Sequence, residues 1–371
     1  MTIIHQNDTL ICISSQKVRV LNMGKTLSPR TEAILKSIVE QYIARAAPVP
    51  SQSVLHNNGL DVSSATIRNE MMRLKQEGYI IQPHTSAGSV PSDKGYRHYV
   101  ESLDDIRLPL NQQRMINHLF HQVETRVEEW AKLTATLLAN MSQNMAIVAT
   151  AKPDNCLFKH LELVSIQDST ALLVLVLQGA VVRQQLTVFD QPVTQTELSA
   201  ISNRLNGLFE ALNNPGIQAK KAGLSDLEKS ITDCILNIMK IEDEIEYEAP
   251  YMDGLQFIFN QPEFAGTRQT TTSLALTENK NLLRVILPDK LTDRGVHVNI
   301  GKEIKSETIQ NYSVVISQYG LPGEAIGCIA VIGPTRMQYA RSIASVDYLA
   351  EVLTGLMAWL YGRKIVPESD N

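Results

Sequence analysis

The 371-residue chain is long enough for two or three domains, and its 44% hydrophobic content is ordinary for a protein with buried cores. The formal net charge of −5 excludes a surface coated in basic residues, so any nucleic-acid binding must come from a local patch or a shaped element. The four cysteines lie far apart with no Cys-x-x-Cys pair. This spacing disfavours a disulfide framework and a structural zinc site, and it fits a cytoplasmic protein.

The first 24 residues are predicted to be an extension with some strand character at 10–13. They lack the basic head and apolar core of a signal peptide. Nowhere do about 18 apolar residues follow one another without interruption, so we expect no membrane span and no membrane partner.

Three helices and a hairpin are predicted after this extension. The first helix begins at Ser28-Pro29, a capping serine followed by a proline at the first helical position. A short helix follows at 51–57, and a third is capped at Ser63 or Ser64 and runs to Glu77. A strand at 79–82 and a Gly/Pro-rich loop complete a pattern typical of a winged helix-turn-helix.

The third helix carries the predicted DNA-reading surface. Its buried stripe is Ile67, Met71 and Leu74, and the opposite face and its flanks present Ala65, Thr66, Arg68, Asn69, Met72, Arg73 and Gln76. Asparagine can pair with adenine and arginine with guanine in the major groove, while alanine or threonine can meet a thymine methyl group. An ordinary amphipathic helix with a solvated polar face would show the same pattern. The neighbouring helices and hairpin favour the DNA-binding interpretation, because together they match a winged helix-turn-helix.

Backbone contacts to DNA are predicted from the residues around this helix. Ser64 and the helix N-terminus can meet a phosphate. Further phosphate contacts are expected from the hairpin loop and from the residues just beyond it, namely His84, Thr85, Ser86, Lys94 and Arg97.

The remaining chain reads as one sheet domain interrupted by a helical block. A long helix is predicted over 110–145, followed by strands at 161–166, 171–177 and 181–188. A helical region spans roughly 194–290, strands resume at 296–300, 313–319 and 328–333, and a last helix covers 337–361. We expect the earlier strands to pair with the later ones across the block.

An apolar stripe inside the block is a candidate dimer contact. It repeats at three- and four-residue spacing and includes Leu224, Leu227, Ile231, Ile238 and Ile245. A core helix packed within its own chain would show the same stripe, so both interpretations remain open.

Several motifs resemble the HrcA family of heat-inducible transcription repressors over roughly 25–362. They are Ser64-Ala65-Thr66-Ile67-Arg68-Asn69-Glu70-Met71, Gln82-Pro83-His84-Thr85-Ser86-Ala87-Gly88, Asp93-Lys94-Gly95-Tyr96-Arg97, Tyr251-Met252-Asp253-Gly254-Leu255, Gln261-Pro262-Glu263-Phe264, Val296-His297-Val298-Asn299-Ile300-Gly301 and Val331-Ile332-Gly333-Pro334-Thr335-Arg336-Met337. The chain departs from the family at Pro50, usually glycine, and at Ser89, usually an arginine of the wing.

The resemblance implies an α+β multidomain protein. It implies a winged helix-turn-helix at 25–105, a GAF-like antiparallel sheet domain in two parts at 106–191 and 291–371, and an inserted dimerising domain at 192–290. It also implies a homodimer that represses chaperone operons through an inverted-repeat operator called CIRCE, with chaperonin as a modulator. The uncharged segment 171–177 would be an aggregation hazard while unpaired, which gives chaperonin dependence a physical reason.

Other functions have less support in the sequence. A metabolite-sensing repressor with a ligand in the GAF-like domain is the alternative, although no convergent polar cluster is evident. His118 and His121 lie three residues apart but lack a third metal ligand. No catalytic or phosphate-binding motif occurs, so we expect neither an enzyme nor a cofactor.

Overall fold

A computed structural model describes residues 27–57, 63–84, 88–104, 106–123, 126–152, 156–178, 181–244, 250–264, 295–306, 309–321 and 325–363. The chain divides into two compact units. The first comprises Met1–Thr150, Pro250–Tyr319 and Gly327–Asn371, and the second comprises Ala151–Ala249 and Gly320–Ile326. Both contain helices and strands, so the α+β class is confirmed.

The helices and strands of the described residues are numbered here in chain order. The helices are α1 (Pro29–Arg45), α2 (Ser51–Asn57), α3 (Ser64–Gln76), α4 (Asp93–Glu101), α5 (Leu110–Gln122), α6 (Val127–Ser142), α7 (Gln195–Phe209), α8 (Asn214–Lys220), α9 (Asp226–Glu244), α10 (Leu255–Phe259) and α11 (Tyr339–Leu360). The strands are β1 (Ile80–Ile81), β2 (Val90–Pro91), β3 (Met145–Lys152), β4 (Phe158–Gln167), β5 (Thr170–Leu177), β6 (Val182–Val188), β7 (Tyr251–Asp253), β8 (Val296–Ile300), β9 (Tyr312–Leu321) and β10 (Ala325–Pro334).

Helices α1 to α4 and the β1–β2 hairpin form what we call the N-terminal module, described over 27–57, 63–84 and 88–104. The Ser28 side chain accepts a hydrogen bond from the Thr31 amide at 3.2 Å, and Pro29 occupies the first turn of α1. Such a cap satisfies one of the free amides at a helix start. Helix α1 ends where Ala46 adopts a left-handed conformation, with φ 51°.

The hairpin that follows α3 is short and antiparallel. Ile80 pairs with Pro91 and Ile81 with Val90. A further bridge joins Val49 to Ser89, so the hairpin is also tied to the segment between α1 and α2. The predicted strand after the third helix is confirmed, although it is only two residues long.

The single long helix predicted over 110–145 is wrong, because the chain forms α5 and α6 instead. Val123 and Arg126 are both extended, which ends one helix and starts the next. Thr134, the polar residue that interrupts the apolar spacing, is fully buried and donates its hydroxyl to the Trp130 carbonyl at 2.7 Å. An apolar periodicity continues across such a break because both helices bury a face.

The larger sheet of the first unit has the strand order β7-β3-β10-β9-β8. Its predicted late strands are confirmed, whereas β7 lies in the stretch that was expected to be helical. Nearly every residue of β9 and β10 is buried, and α11 packs against both α6 and β8. The partners β3 and β7 are separated in sequence by the whole of the second unit's main segment.

The second unit has its own antiparallel sheet of β4, β5 and β6. The predicted meander is therefore confirmed, but the expected pairing of its strands with those at 296–333 is wrong. Each strand pairs with its neighbour in sequence, and α7 and α9 cover one face. This sheet is consequently completed locally, and the unit begins at Ala151 instead of at the expected insertion boundary of 192.

Helix α11 is long and apolar enough, by length and composition alone, to cross a membrane. Half of its most apolar window, 50%, is buried inside the protein. A buried core helix passes the same test, and this one carries Leu349 and Leu353 into the first unit's core.

Candidate nucleic-acid interface

Helix α3 is fixed in the N-terminal module by its cap and by its buried stripe. The Ser63 side chain accepts a hydrogen bond from the Thr66 amide at 3.2 Å. Ile67 and Leu74 are fully buried, and Met71 is nearly so. Because residues three and four apart share a helix face, the other side of α3 must point outward.

The outward face of α3 holds the side chains expected to read bases. Ala65, Arg68, Asn69 and Gln76 are exposed, and Met72 is 59% exposed. Within the described part of the chain, neither Arg68 nor Asn69 has an intramolecular hydrogen bond or ion pair. Both side chains are free to meet an external donor or acceptor, and the exposed thioether of Met72 offers an apolar contact beside them.

Arg73 lies at the edge of this face and has a partner on its own helix. Its Nε donates to Glu77 Oε1 at 3.0 Å, and both side chains are accessible to solvent. The hydrogen bond to Glu77 raises the pKa of the Arg73 guanidinium, which is charged in any case. Exposed pairs of this kind contribute little stability, so Arg73 can exchange its partner at small cost.

Lys94 is engaged within the module. Its Nζ donates to the Glu77 carbonyl at 2.7 Å and lies 4.0 Å from the centroid of the Tyr79 ring. The ammonium therefore satisfies a carbonyl at the end of α3, where a cation also suits the helix dipole. This gives Lys94 a structural role that the sequence did not reveal.

Arg97 is engaged with the larger sheet. Its Nε donates to Glu303 Oε1 at 2.9 Å, and its Nη2 donates to the Val298 carbonyl at 2.6 Å. The structure thus separates the predicted cations into two groups. Arg68 and Arg73 lie on α3 and have either no partner among the described residues or an exposed one, whereas Lys94 and Arg97 of α4 bind carbonyl groups of the protein.

Only part of the predicted hairpin contact lies within the described residues. His84 is exposed at its start, while Thr85 and Ser86 lie outside the described residues. Ser89, which replaces the family's usual wing arginine, is only 8% exposed. Its amide and carbonyl pair with Val49 at 2.9 and 2.8 Å, so this position lies at the paired base of the hairpin.

The residues predicted to form a dimer seam lie in the core of the second unit. Leu224, Ile231 and Ile238 are buried and Leu227 is partly buried against the same cluster, whereas Ile245 lies outside the described residues. Side chains buried in their own chain are not available to a partner. The described members of the stripe therefore belong to a core helix, one of the two interpretations left open by the sequence, and a role for Ile245 in a dimer stays a prediction.

A different apolar surface of the second unit is exposed, and sequence reasoning missed it. We call it the outer face of the three-stranded sheet; it comprises Val164, Leu172, Val174, Val176, Val182, Leu186 and Val188. Leu186 is 63% exposed and Val188 is 72% exposed. The register places Val164, Leu172 and Leu186 in one row across the three strands. No alternation of apolar and polar residues along β5 marks this face in the sequence, because residues 171–177 are seven consecutive apolar residues.

The described residues contain no group of three or more side chains that could hold a metal ion. His118, one of the two histidines considered above, contacts Gln122 Nε2 through its own Nε2 at 3.0 Å.

Comparisons with known proteins give consistent results. A family model described as HrcA protein C terminal domain matches residues 128–343. A heat-inducible transcription repressor HrcA from Dehalococcoides mccartyi is 48% identical over 344 residues, covering 93% of this chain and 100% of that protein. The repressor of the same name from Herpetosiphon aurantiacus is 39% identical over 354 residues, covering 93% of this chain and 99% of its own.

One solved structure has a similar fold. It is a crystal structure of a hypothetical protein, with a TM-score of 0.56 and 22% sequence identity. The match covers 90% of this chain and 98% of that one.

Proposed function

This chain belongs to the HrcA family of heat-inducible transcription repressors, and we propose that it represses chaperone operons by binding the inverted-repeat CIRCE operator as a homodimer. Members of the family are non-enzymatic regulators, so repression of transcription under heat-shock control is the function of this chain. We place it in the cytoplasm, where its operators lie.

In this proposal the N-terminal module is a winged helix that places α3 in the major groove. The observation that carries it is the outward face of α3, on which Arg68 and Asn69 have no partner among the described residues. Arg68 would bind guanine and Asn69 adenine, while Ala65 and Thr66 would meet thymine methyl groups. Phosphates would be contacted by the start of α3 and by the side chains of Ser64, Arg73, His84, Thr85 and Ser86.

We assign Arg97 to the scaffold and keep Lys94, whose side chain is exposed, among the proposed phosphate contacts. Each cation already has a carbonyl partner, and Arg97 also has a carboxylate. The Glu303 carboxylate neutralises the Arg97 charge, whereas the Lys94 ammonium has three N–H donors and can meet a phosphate without giving up its carbonyl partner.

The remaining chain supplies a GAF-like sheet domain and a dimerising domain. We assign the five-stranded sheet with α6 and α11 to the former and the second unit to the latter. Support for a dimer contact there comes from the outer face of the three-stranded sheet, where the apolar row of Val164, Leu172 and Leu186 lies beside a mixed row of Glu162, Val174 and Gln184, because exposed apolar surface with polar neighbours marks interaction sites. A two-fold dimer suits an inverted repeat, since the symmetries of protein and operator must match.

Chaperonin dependence has a physical basis in the larger sheet. Strands β3 and β7 pair although roughly a hundred residues separate them. Such non-local pairing slows folding and leaves strand edges exposed meanwhile. Heat-unfolded proteins that occupy the chaperonin would then reduce the supply of folded repressor. The experiment refolds the protein with chaperonin alone and with chaperonin plus an unfolded competitor, and it scores the yield of folded repressor by operator binding. Equal yields would contradict the dependence on chaperonin.

Operator binding tests the base-reading assignment directly. Footprinting on the organism's chaperonin promoter should show one protected inverted repeat. Arg68→Ala and Asn69→Ala should each cost about 1–3 kcal/mol and relax specificity at one position of each half-site. Arg126→Ala is the matched control, because Arg126 is an exposed arginine of the same unit that pairs with Glu128 outside the N-terminal module. Wild-type affinity in folded Arg68→Ala and Asn69→Ala proteins would remove α3 from the base contacts.

A further inference from the structure

We propose that Asp93 and Arg97 of α4 clamp the N-terminal module to the five-stranded sheet and thereby set the half-site spacing that the dimer accepts. They are positioning residues that act through α3. The inference rests on the proposed function, because spacing has meaning only for a dimer on an inverted repeat.

The Arg97 guanidinium is held at two points of the sheet domain. Besides its bond to the Val298 carbonyl of β8, it forms a two-pronged ion pair with Glu303, in the short helical turn that follows β8. Glu303 is itself fixed, because its Oε2 accepts the Ile300 amide at 2.8 Å. A bidentate pair defines an orientation as well as a distance, so α4 cannot pivot about this contact without breaking it.

Asp93 makes the second contact of the clamp at the start of α4. Its Oδ2 accepts the Lys302 amide at 3.1 Å. The carboxylate sits against Gly301, where a Cβ atom would lie only 2.4 Å from Oδ2. Gly301 also has φ +55°, a conformation that favours glycine. The turn thus leaves a space that the Asp93 side chain fills.

Within the module, α4 is fastened to α3, so a fixed α4 means a fixed reading helix. Lys94 binds the Glu77 carbonyl at the end of α3. Gly95 packs against the backbone beyond α3, since a Cβ atom there would lie 2.2 Å from the Tyr79 carbonyl oxygen. Because α4 is fixed to α3, the orientation of α4 on the sheet determines the orientation of α3 as well.

A further contact, on α1, removes the remaining freedom. Arg336, just before α11, forms an ion pair with Glu263, donates to Gln261 Oε1 at 2.6 Å and reaches the Ile43 carbonyl at 3.4 Å. Between the clamp and this contact, the rings of Tyr96 and Tyr339 pack with centroids 5.9 Å apart. Contacts at separate points on α1 and α4 prevent rotation, which one contact alone would permit.

Spacing selectivity follows from this rigidity. Each base pair added between half-sites moves one of them by about 3.4 Å and turns it by about 34°. Modules held rigidly on their own sheets accept fewer spacings than loosely held modules, which accommodate several at a cost in affinity for the best one.

The experiment compares full-length wild type, Arg97→Gln, Glu303→Gln and their double variant on a set of DNA duplexes. The set holds the native inverted repeat, repeats whose spacer is changed by about one or two base pairs, and a single half-site. Arg126→Gln is the matched control, since it removes an arginine that pairs with Glu128 elsewhere in the first unit. Thermal unfolding of each protein shows that it is folded. If Arg97→Gln is not folded, Arg97→Lys replaces it in the experiment, because lysine keeps the positive charge and cannot form the bidentate ion pair.

Wild type should prefer the native spacer over its neighbours by about tenfold or more, and both single variants should reduce this preference to about threefold. The two substitutions should not add, because each breaks the same ion pair. Binding to the single half-site and its salt dependence should stay as in wild type.

Three outcomes would overturn the clamp. A spacing preference that is unchanged in all variants shows that the ion pair does not set orientation. A salt slope lowered by about one unit in Arg97→Gln alone identifies a phosphate contact. Tighter binding at every spacing shows that the contact opposes DNA binding. If wild type binds no inverted repeat at all, the proposed function fails before the clamp is at issue.

Discussion

The two larger sheets of this molecule use similar apolar sequences in different ways. In the five-stranded sheet, β9 and β10 are buried along almost their whole length. In the three-stranded sheet, β5 is equally apolar, yet only alternate residues are buried and the others face outward. Almost all apolar residues of β9 and β10 stabilise their own chain, whereas half of those in β5 are available to something else. An apolar run therefore specifies a strand and not the number of its covered faces.

Adjacent residues of β5 provide the strongest test of this difference. Leu173 is fully buried among the second unit's core residues, while Leu172 lies on the outer face. Leu173→Ala should lower the free energy of unfolding by about 2–5 kcal/mol through lost burial and the cavity left behind. Leu172→Ala should lower it by less than about 1 kcal/mol at concentrations where the protein is monomeric. Denaturant unfolding of both variants measures the two free energies of unfolding. Equal losses would mean that other residues of the same chain cover the outer face.

A charge on the outer face should separate self-association from folding. Leu186 is exposed and stands directly opposite Leu172 in the register. Leu186→Glu should weaken the dimer at least about tenfold, because it places a carboxylate in an apolar contact. Sedimentation gives the dimer constant, and thermal unfolding of the monomer should change little. Lys229→Glu, on the exposed side of α9, is the control. A variant that dimerises as tightly as wild type would place the contact elsewhere.

A smaller effect, of pH on the free energy of unfolding, is expected from α11, the helix that packs against the five-stranded sheet. Burial raises the pKa of Asp347 to about 6, and burial together with the nearby Asp347 carboxylate raises the pKa of Glu351 to about 7. A carboxyl group whose pKa is raised by folding stabilises the folded state when protonated, and this stabilisation is lost as the pH rises through the folded value. Stability should thus fall by about 1 kcal/mol between mildly acidic and mildly alkaline pH.

The double variant Asp347→Asn, Glu351→Gln isolates that effect. It should unfold at a higher temperature than wild type above neutral pH and lose the acidic part of the pH dependence. Melting curves across this range measure it, and an unchanged slope in the double variant would assign the dependence to other groups.

Local features were predictable because their causes are local. Helix α3 begins after a capping serine and ends before Gly78, and its buried stripe follows from helical spacing alone. The outward face of α3 could therefore be named residue by residue, and the structure places each of those side chains where the periodicity requires.

Long-range features were not predictable from the same reasoning. The partners of Arg97 lie about two hundred residues further along the chain, so nothing near Arg97 reveals them. A solvent-facing cation and a cation in a distant ion pair look alike in sequence. Likewise, the strands at 161–188 can pair locally or across an insertion, and only the completed sheet decides. The break between α5 and α6 was missed because apolar spacing continues through it.

The contact between Arg97 and the Val298 carbonyl has one more consequence, for aggregation. Among the described strands, β8 lies at one end of the five-stranded sheet, so one side of its backbone is open to strand addition. The guanidinium occupies a carbonyl on that strand and lays α4 beside it. A chain whose N-terminal module comes away exposes this edge to other copies. Loss of operator binding and loss of solubility would then begin with the same event.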